Sequence, residues 1–365
     1  MKINKAYKFR IYPSENQINV IENSFGCSRF VYNHFLNQRN EVYKDKKICV
    51  KYTEQQNQLP SMKKEFVWLK EVDSTSLQMS LRNLDTAFKN FFEGRADRPK
   101  FKSRRNNYKT YTSNFVNNNI DIKKDKIKFP KLKWIKAKVH RYFHGRIING
   151  TISKTPSGKY FVSICVETEI EPLEKVTENI GLDLGLSYFA TLSNGEKIEN
   201  PKYLKKSLNK LTREQRKLSS KQQGSNNFHK QRVKVAKLYE RVANQRIDFI
   251  HKLSKRIISE NQVIVLEDLA VKNMMKNDKL AQSISDVCWH KFITMLEYKA
   301  KWCGRKLHKI DRWYPSSKTC NECDYIMEDI TLHIREWKCP QCGSIHDRDI
   351  NASKNILRQG LLDIA

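Results

Sequence analysis

Two C-x-x-C pairs, Cys320/Cys323 and Cys339/Cys342, stand fifteen residues apart near the end of the chain. Each pair closes a tight turn, and four soft thiolates complete a tetrahedral zinc site with no open position. Free thiols packed in a loop are the poorer reading of that spacing. Seven residues beyond Cys342, in the stretch DRDINASKN, Asp349 falls at the start of an expected helix. Two more acids occupy special places. Glu267 closes the apolar run Val263-Ile264-Val265-Leu266, where a carboxylate needs a partner or a metal. Asp183 ends or interrupts an apolar strand just before a hairpin. Each acid alone has a bland counterpart, a turn former or a helix cap. Together they offer hard oxygen ligands, which favour Mg or Mn over Zn. Clustered carboxylates of this kind hold two divalent ions for phosphodiester hydrolysis, activating water and stabilising the leaving 3′ oxygen. Their neighbours Asp268 and Asp347 are set aside: Asp268 points to the opposite face of a continued strand, and Asp347 orients the loop.

The elements that must bring these acids together can be read from periodicity. A strand runs into Asp183, and two further strands join at Ser193-Asn194-Gly195, a hairpin signal. Residues 201–258 read as helices broken near Gly224; residues 263–266 are a short buried strand. A helix over about 286–303 then precedes a strand at 305–310. A strand–hairpin–helix–strand order lets the ends of two parallel strands and one helix converge, as in a ribonuclease H-like fold. Upstream, residues 3–12 alternate as a strand through Ile3, Ala6, Phe9 and Ile11. Ser14-Glu15-Asn16-Gln17 follows as a capping box, and helical patterns continue over about 53–70 and 74–93. Residues 14–93 thus form a small helical bundle inserted after a strand. Between 108 and 178, alternating segments indicate strands and hairpins.

Lysine and arginine number 69 against 39 acids, a net charge of +30, with 10% aromatic residues. That is a folded protein whose excess charge neutralises phosphates, not a disordered basic tail. The charge is clustered. Residues 95–141 hold sixteen lysines and arginines against three acids, interleaved with aromatics, and in residues 201–258 seventeen far outnumber the acids. Basic residues interleaved with aromatics suit a nucleic-acid backbone with stacked bases. Of nine cysteines, the five outside the pairs are scattered among apolar or helical neighbours, so no disulfide framework is visible and a reducing cytoplasm fits. No apolar run is long enough for a signal peptide or a membrane span, and no membrane partner is expected.

The segments GLDLG, IVLEDL, the paired C-x-x-C and HDRDINASKN resemble the RuvC-like nuclease and zinc-ribbon segments of the TnpB family. These are transposon-encoded relatives of type V CRISPR effectors. KAYKFRIYPSENQ, SRFVYNHFLNQR and LRNLDTAFKNFF look like that family's N-terminal region, so the resemblance spans nearly the whole chain. It implies an α+β multidomain protein: a wedge-like β-barrel (1–12 and 108–178), an inserted helical recognition lobe (14–107), a RuvC-like α/β nuclease domain (179–311 and 344–365) and an inserted zinc ribbon (312–343). The implied catalytic acids and Mg ligands fall on Asp183, Glu267 and Asp349, and the zinc ligands on the four ribbon cysteines. The implied activity is RNA-guided cleavage of double-stranded DNA; the sequence does not fix the oligomeric state, and a monomer on one RNA is the default expectation. A guide RNA from the transposon end pairs with the target beside a short flanking motif. Tyr52, Ser74 and Gln78, which flank or begin helices of the lobe, are candidate base contacts, and Gln78 has the groups to read an adenine edge. The alternatives are a nuclease-inactive RNA-guided repressor, which would be expected to lack one of the acids, and a DNA transposase using the same carboxylates.

Overall fold

Alternation over the first eleven residues becomes β1 (Lys2–Tyr12), and its parity is set by the core. Ile3, Tyr7, Phe9 and Ile11 are buried, whereas Ala6, expected on the apolar face, is exposed because period two puts it on the other side. The computed structural model describes residues 1–106, 108–328, 331 and 334–365, and at 272 the backbone only. Residue 107, at the edge of the expected lobe, and residues 329, 330, 332 and 333, in the expected ribbon, lie outside the described residues. The chain divides into two compact units, Lys2–Glu169 and Met1 with Ile170–Ala365.

In the first unit β1 leads into α1 (Glu15–Lys46), capped by Ser14 with both bonds of the capping box made to Gln17. Then come α2 (Tyr52–Glu65), a 3-10 turn (Val67–Lys70) and α3 (Ser74–Phe92), the last capped by Asp73. Phe35, Leu36, Leu59, Leu69, Leu77 and Leu81 close a helical core among them. The remaining strands are β2 (Lys109–Asn114), β3 (Asp121–Lys123), β4 (Lys126–Phe129), β5 (Lys133–Lys138), β6 (Arg146–Lys154) and β7 (Tyr160–Glu169). They join β1 in a seven-stranded sheet of order β2-β6-β7-β1-β5-β4-β3, antiparallel throughout.

The second unit holds β8 (Asn179–Asp183), β9 (Tyr188–Leu192), β10 (Lys197–Glu199), α4 (Tyr203–Ser219), α5 (Asn226–Glu260) and β11 (Val263–Glu267). After these come α6 (Val271–Met274), α7 (Ala281–Val287), α8 (Trp289–Cys303), β12 (Lys306–Ile310), β13 (Glu336–Lys338), β14 (Ile345–Asp347) and α9 (Arg348–Leu362). Five strands form a mixed sheet of order β10-β9-β8-β11-β12. β8, β11 and β12 run parallel, while β9 and β10 turn back antiparallel. Strand parity sorts the two faces. Ile180, Leu182, Ile264 and Leu266 face a core shared with Ile250 and Ile257 of α5 and Phe292 and Leu296 of α8. Val265 faces the other way, into a cluster with Ile310 and with Ile356 of α9. The second face is therefore the one that α9 covers.

Candidate metal and catalytic site

That parity also fixes the acids. Asp183 shares a face with Gly181, and Glu267 with Val265, so both carboxylates lie on the α9 side of the sheet. The β8–β11 ladder pairs Leu182 with Leu266, which brings the two strand ends, and hence Asp183 and Glu267, into line. Helical spacing supplies the third acid, since Asp349 precedes Ser353, Leu357 and Gly360 along one stripe of α9. Two glycines let this stripe lie almost on the strands. A Cβ built on Gly181 would stand 2.2 Å from the Ser353 carbonyl oxygen and 2.8 Å from the Leu357 nitrogen; one on Gly360 would stand 2.2 Å from Cγ1 of Val265. The fold thus brings Asp183, Glu267 and Asp349 to one end of one face.

The three groups feel one another. Burial pushes the Asp183 carboxyl up to about 7, the charges of Glu267 and Asp349 push the same way, and Arg348 and Arg335 partly offset them. Burial also raises Glu267, against a hydrogen bond donated by the Ser316 hydroxyl. Arg335 reaches Asp349 with Nη1 at 3.4 Å from Oδ1, and its Nη2 lies 3.4 Å from the Ser187 hydroxyl. The neighbouring acids are occupied elsewhere. Asp268 pairs with Arg312 at the surface. Asp347 caps α9 through the Ile350 N–H at 3.0 Å and binds the Lys197 ammonium at 2.6 Å. Although its burial opposes this, those bonds hold the Asp347 carboxyl below the usual range.

Among the described residues the four cysteines form the one group of three or more His, Cys, Asp or Glu side chains close enough to share an ion, their sulfurs all within 4.8 Å. Sγ of Cys320 and Cys342 are 3.7 Å apart, and those of Cys323 and Cys339 are 3.6 Å apart. A tetrahedron with Zn–S bonds of about 2.3 Å has edges of about 3.8 Å, so the sulfurs fit zinc. Both turns are built alike. Asp324 and Gly343, each four residues after a first cysteine, adopt left-handed backbones (φ 63° and 76°) and donate their N–H groups back to Cys320 and Cys339. The carboxylates do not form so tight a group. Two ions about 3.5–4 Å apart would spread oxygen ligands over a wider span than a single ion does.

The other predicted residues fall in the first unit. Ser74 opens α3 and accepts a hydrogen bond from the Lys63 ammonium at 2.6 Å; Gln78, four residues on, shares its helix face. Tyr52 opens α2, about 16 Å along that helix from Lys63 at 1.5 Å per residue. Ser74 and Gln78 are brought together, and Tyr52 stands apart from them. Sequence reasoning missed Arg335 and Ser316, which meet the acids only through tertiary contacts. It also missed Asn351 and Asn355 of α9, although their N-x-x-x-N spacing put two asparagines on one helix face.

Fold and site together define a two-unit α+β protein with mixed-sheet topology, a four-cysteine cluster and a carboxylate site at the end of the sheet. Three family profiles match: "Probable transposase" over residues 163–278, "Cas12f1-like, TNB domain" over 289–356 and "Helix-turn-helix domain" over 1–47. Over the last of these the structure has β1 and the start-to-end span of the single helix α1. A Streptomyces pristinaespiralis protein named "Putative RNA-guided DNA endonuclease" is 41% identical, over 99% of this chain and 90% of its own length. "Putative RNA-guided DNA endonuclease InsQ" of Escherichia coli K12 is 33% identical, over 99% and 93%. "TnpB-like protein L770" of Acanthamoeba polyphaga mimivirus is 23% identical, over 97% and 73%. The chain belongs to the TnpB family of transposon-encoded RNA-guided DNA endonucleases.

Proposed function

We propose that this chain hydrolyses DNA phosphodiesters at a RuvC-like, ribonuclease H-like site made of Asp183, Glu267 and Asp349, directed by a guide RNA paired to the target. The observation that carries the reading is the placement of all three carboxylates on the α9 face of one sheet end, where Glu267 and Asp349 both raise the cost of ionising Asp183. Such a cluster stores negative repulsion that divalent cations relieve, and hard oxygen ligands select Mg or Mn. When bound there, two such ions supply Lewis-acid activation of water and stabilisation of the leaving 3′ oxygen. The protein's own part is to hold the carboxylates in register on rigid strands and a rigid helix, with Arg335 screening Asp349. The four cysteines hold a structural zinc.

The cationic helices α4 and α5 grip nucleic-acid backbone. Lys205, Lys206, Lys210, Arg213, Arg216 and Lys217 are exposed along α4, and Gln231 ties the pair by donating to the Glu214 carbonyl at 3.0 Å and its carboxylate at 2.8 Å. We assign the first unit's sheet to a wedge-like barrel and its helices to the lobe that meets guide RNA and flanking DNA, with Tyr52, Ser74 and Gln78 as base contacts. The protein works as a monomer on one RNA in the prokaryotic cytoplasm. No helix among the described residues is long and apolar enough to cross a membrane.

The test is plasmid cleavage with Mg by protein co-expressed with RNA from its own locus, on a target beside a randomised flank. Cutting at one flank, lost in Asp183→Ala and Glu267→Ala, establishes the nuclease. Binding without cutting by the parent protein establishes the repressor instead, and joining of donor DNA ends establishes a transposase.

A further inference from the structure

The segment before the first zinc turn touches both strand end and helix. Ser316, buried, donates its hydroxyl to Oε1 of Glu267 at 2.5 Å, while its own carbonyl accepts from Nδ2 of Asn355 at 2.8 Å. Three residues later, the Thr319 carbonyl accepts from Nδ2 of both Asn351 (2.7 Å) and Asn355 (2.6 Å). The Asn321 N–H donates to Oδ1 of Asn351 at 3.0 Å, and its side-chain amide donates to Oδ1 of Asn355 at 3.2 Å. Cys320 lies between Thr319 and Asn321, so the backbone on either side of a zinc ligand is bound to two side chains of α9. Both asparagines are almost fully buried, and a polar amide is buried at this cost only when its bonds are made. Here those bonds go to the zinc turn.

We propose that Ser316 is a positioning residue for the metal-binding carboxylate Glu267, held in place by the first zinc turn through Asn355. The proposal rests on the reading of Glu267 as a divalent-metal ligand. A buried carboxylate on a strand end has freedom about its side-chain torsions, and one hydroxyl at hydrogen-bond distance fixes which oxygen is presented to the ion. Ser316 cannot move to follow Glu267, because its carbonyl is tied to Asn355 and Asn355 is tied in turn to Thr319, beside Cys320. The structural zinc thereby sets the geometry of a carboxylate outside its own coordination sphere. Groups that orient ligands in this way typically contribute 10–100-fold to metal affinity or activity.

The experiment is direct Mn binding to the full-length purified protein, followed by electron paramagnetic resonance, for the parent, Ser316→Ala, Ser316→Thr and Glu267→Gln. Zinc content and thermal melting are measured on the same samples. Ser316→Ala should bind Mn about 10–100-fold more weakly, keep one zinc per chain and melt near the parent. Ser316→Thr, which restores the hydroxyl, should recover most of the affinity. Asn355→Ala should weaken Mn binding as well, and less than additively with Ser316→Ala, since both break one chain of contacts. Parent-like Mn affinity in Ser316→Ala, with binding lost in Glu267→Gln, overturns the role of Ser316 and leaves the metal site standing. Parent-like affinity in Glu267→Gln removes the metal-ligand reading itself, and the proposal with it.

Discussion

Adding one methyl group at Gly181 should separate the acids without touching any of them. Its would-be Cβ sits 2.2 Å from the Ser353 carbonyl oxygen and 2.8 Å from the Leu357 nitrogen, both backbone atoms of α9 that no rotamer change can clear. Restoring a tight contact of 3.4 Å to that oxygen requires about 1.2 Å of travel by helix or strand. Asp349 lies one turn from Ser353 and moves with the helix, while Asp183 stays on the strand two residues from the substitution. Misplacement of a reacting group by about 1 Å costs about 100-fold in rate. Overpacking itself costs about 1–3 kcal/mol of stability, which a domain of this size survives. Gly181→Ala should therefore fold, bind its RNA and retain zinc, yet cleave about 100-fold more slowly at saturating RNA and target. Gly360→Ala is the internal comparison. Its Cβ meets the side chain of Val265 rather than backbone, farther along α9 from Asp349, so its loss of cleavage should be smaller. Single-turnover cleavage of a guided plasmid, with circular dichroism and zinc content as controls, measures both. A Gly181→Ala protein that cuts within threefold of the parent would refute the close packing of α9 as the device that sets the carboxylate geometry.

Asp183→Asn, Glu267→Gln and Asp349→Asn should each abolish guided cleavage while leaving RNA affinity within a few-fold, read by filter binding. The Asp183 carboxyl, raised to about 7 without metal, holds its proton in the folded state over a range where the unfolded chain has lost it. The metal-free protein should accordingly lose stability as pH rises from about 4 through 7, by up to a few kcal/mol, and Asp183→Asn should flatten that slope in thermal melts across pH, leaving the part contributed by the raised Glu267 carboxyl. By the same linkage, protons compete with divalent cations below pH 7, so the Mg concentration for half-maximal cleavage should rise steeply on acidification. Cys320→Ser should lose zinc in atomic absorption, and with it the order of the turn on α9, so cleavage falls with zinc content. Gln78→Ala should shift the preferred flanking sequence in a randomised-flank assay while leaving the cutting rate on the best flank similar.

The acids could be located from sequence because each sits where a short-range pattern fixes its direction. In β11 the period of two sends Ile264 and Leu266 one way and Val265 and Glu267 the other. In β8 the same alternation pairs Gly181 with Asp183, and in α9 spacing of three to four puts Asp349 in line with Ser353 and Gly360. None of these directions depends on knowing the rest of the fold. The cysteine cluster is legible for a similar reason, since two residues between paired cysteines suffice to close each turn, whatever surrounds it. Ser316 and Arg335 carry no such local mark. Ser316 meets Glu267 across 49 residues and Arg335 meets Asp349 across 14, through segments whose course is set by the zinc turn and by the β13–β14 pair. The asparagines fall between the two cases. Their spacing announced a shared polar face, but a polar helix face reads as solvated until something is found to bury it. What buries it is the backbone beside Cys320. If the acids hold metal as proposed, the order of dependence follows: the local pattern chooses which carboxylates face the site, and the first cysteine turn decides how firmly Glu267 is held. Substitutions in the first class should abolish metal binding outright, whereas those in the second should weaken it by a graded amount.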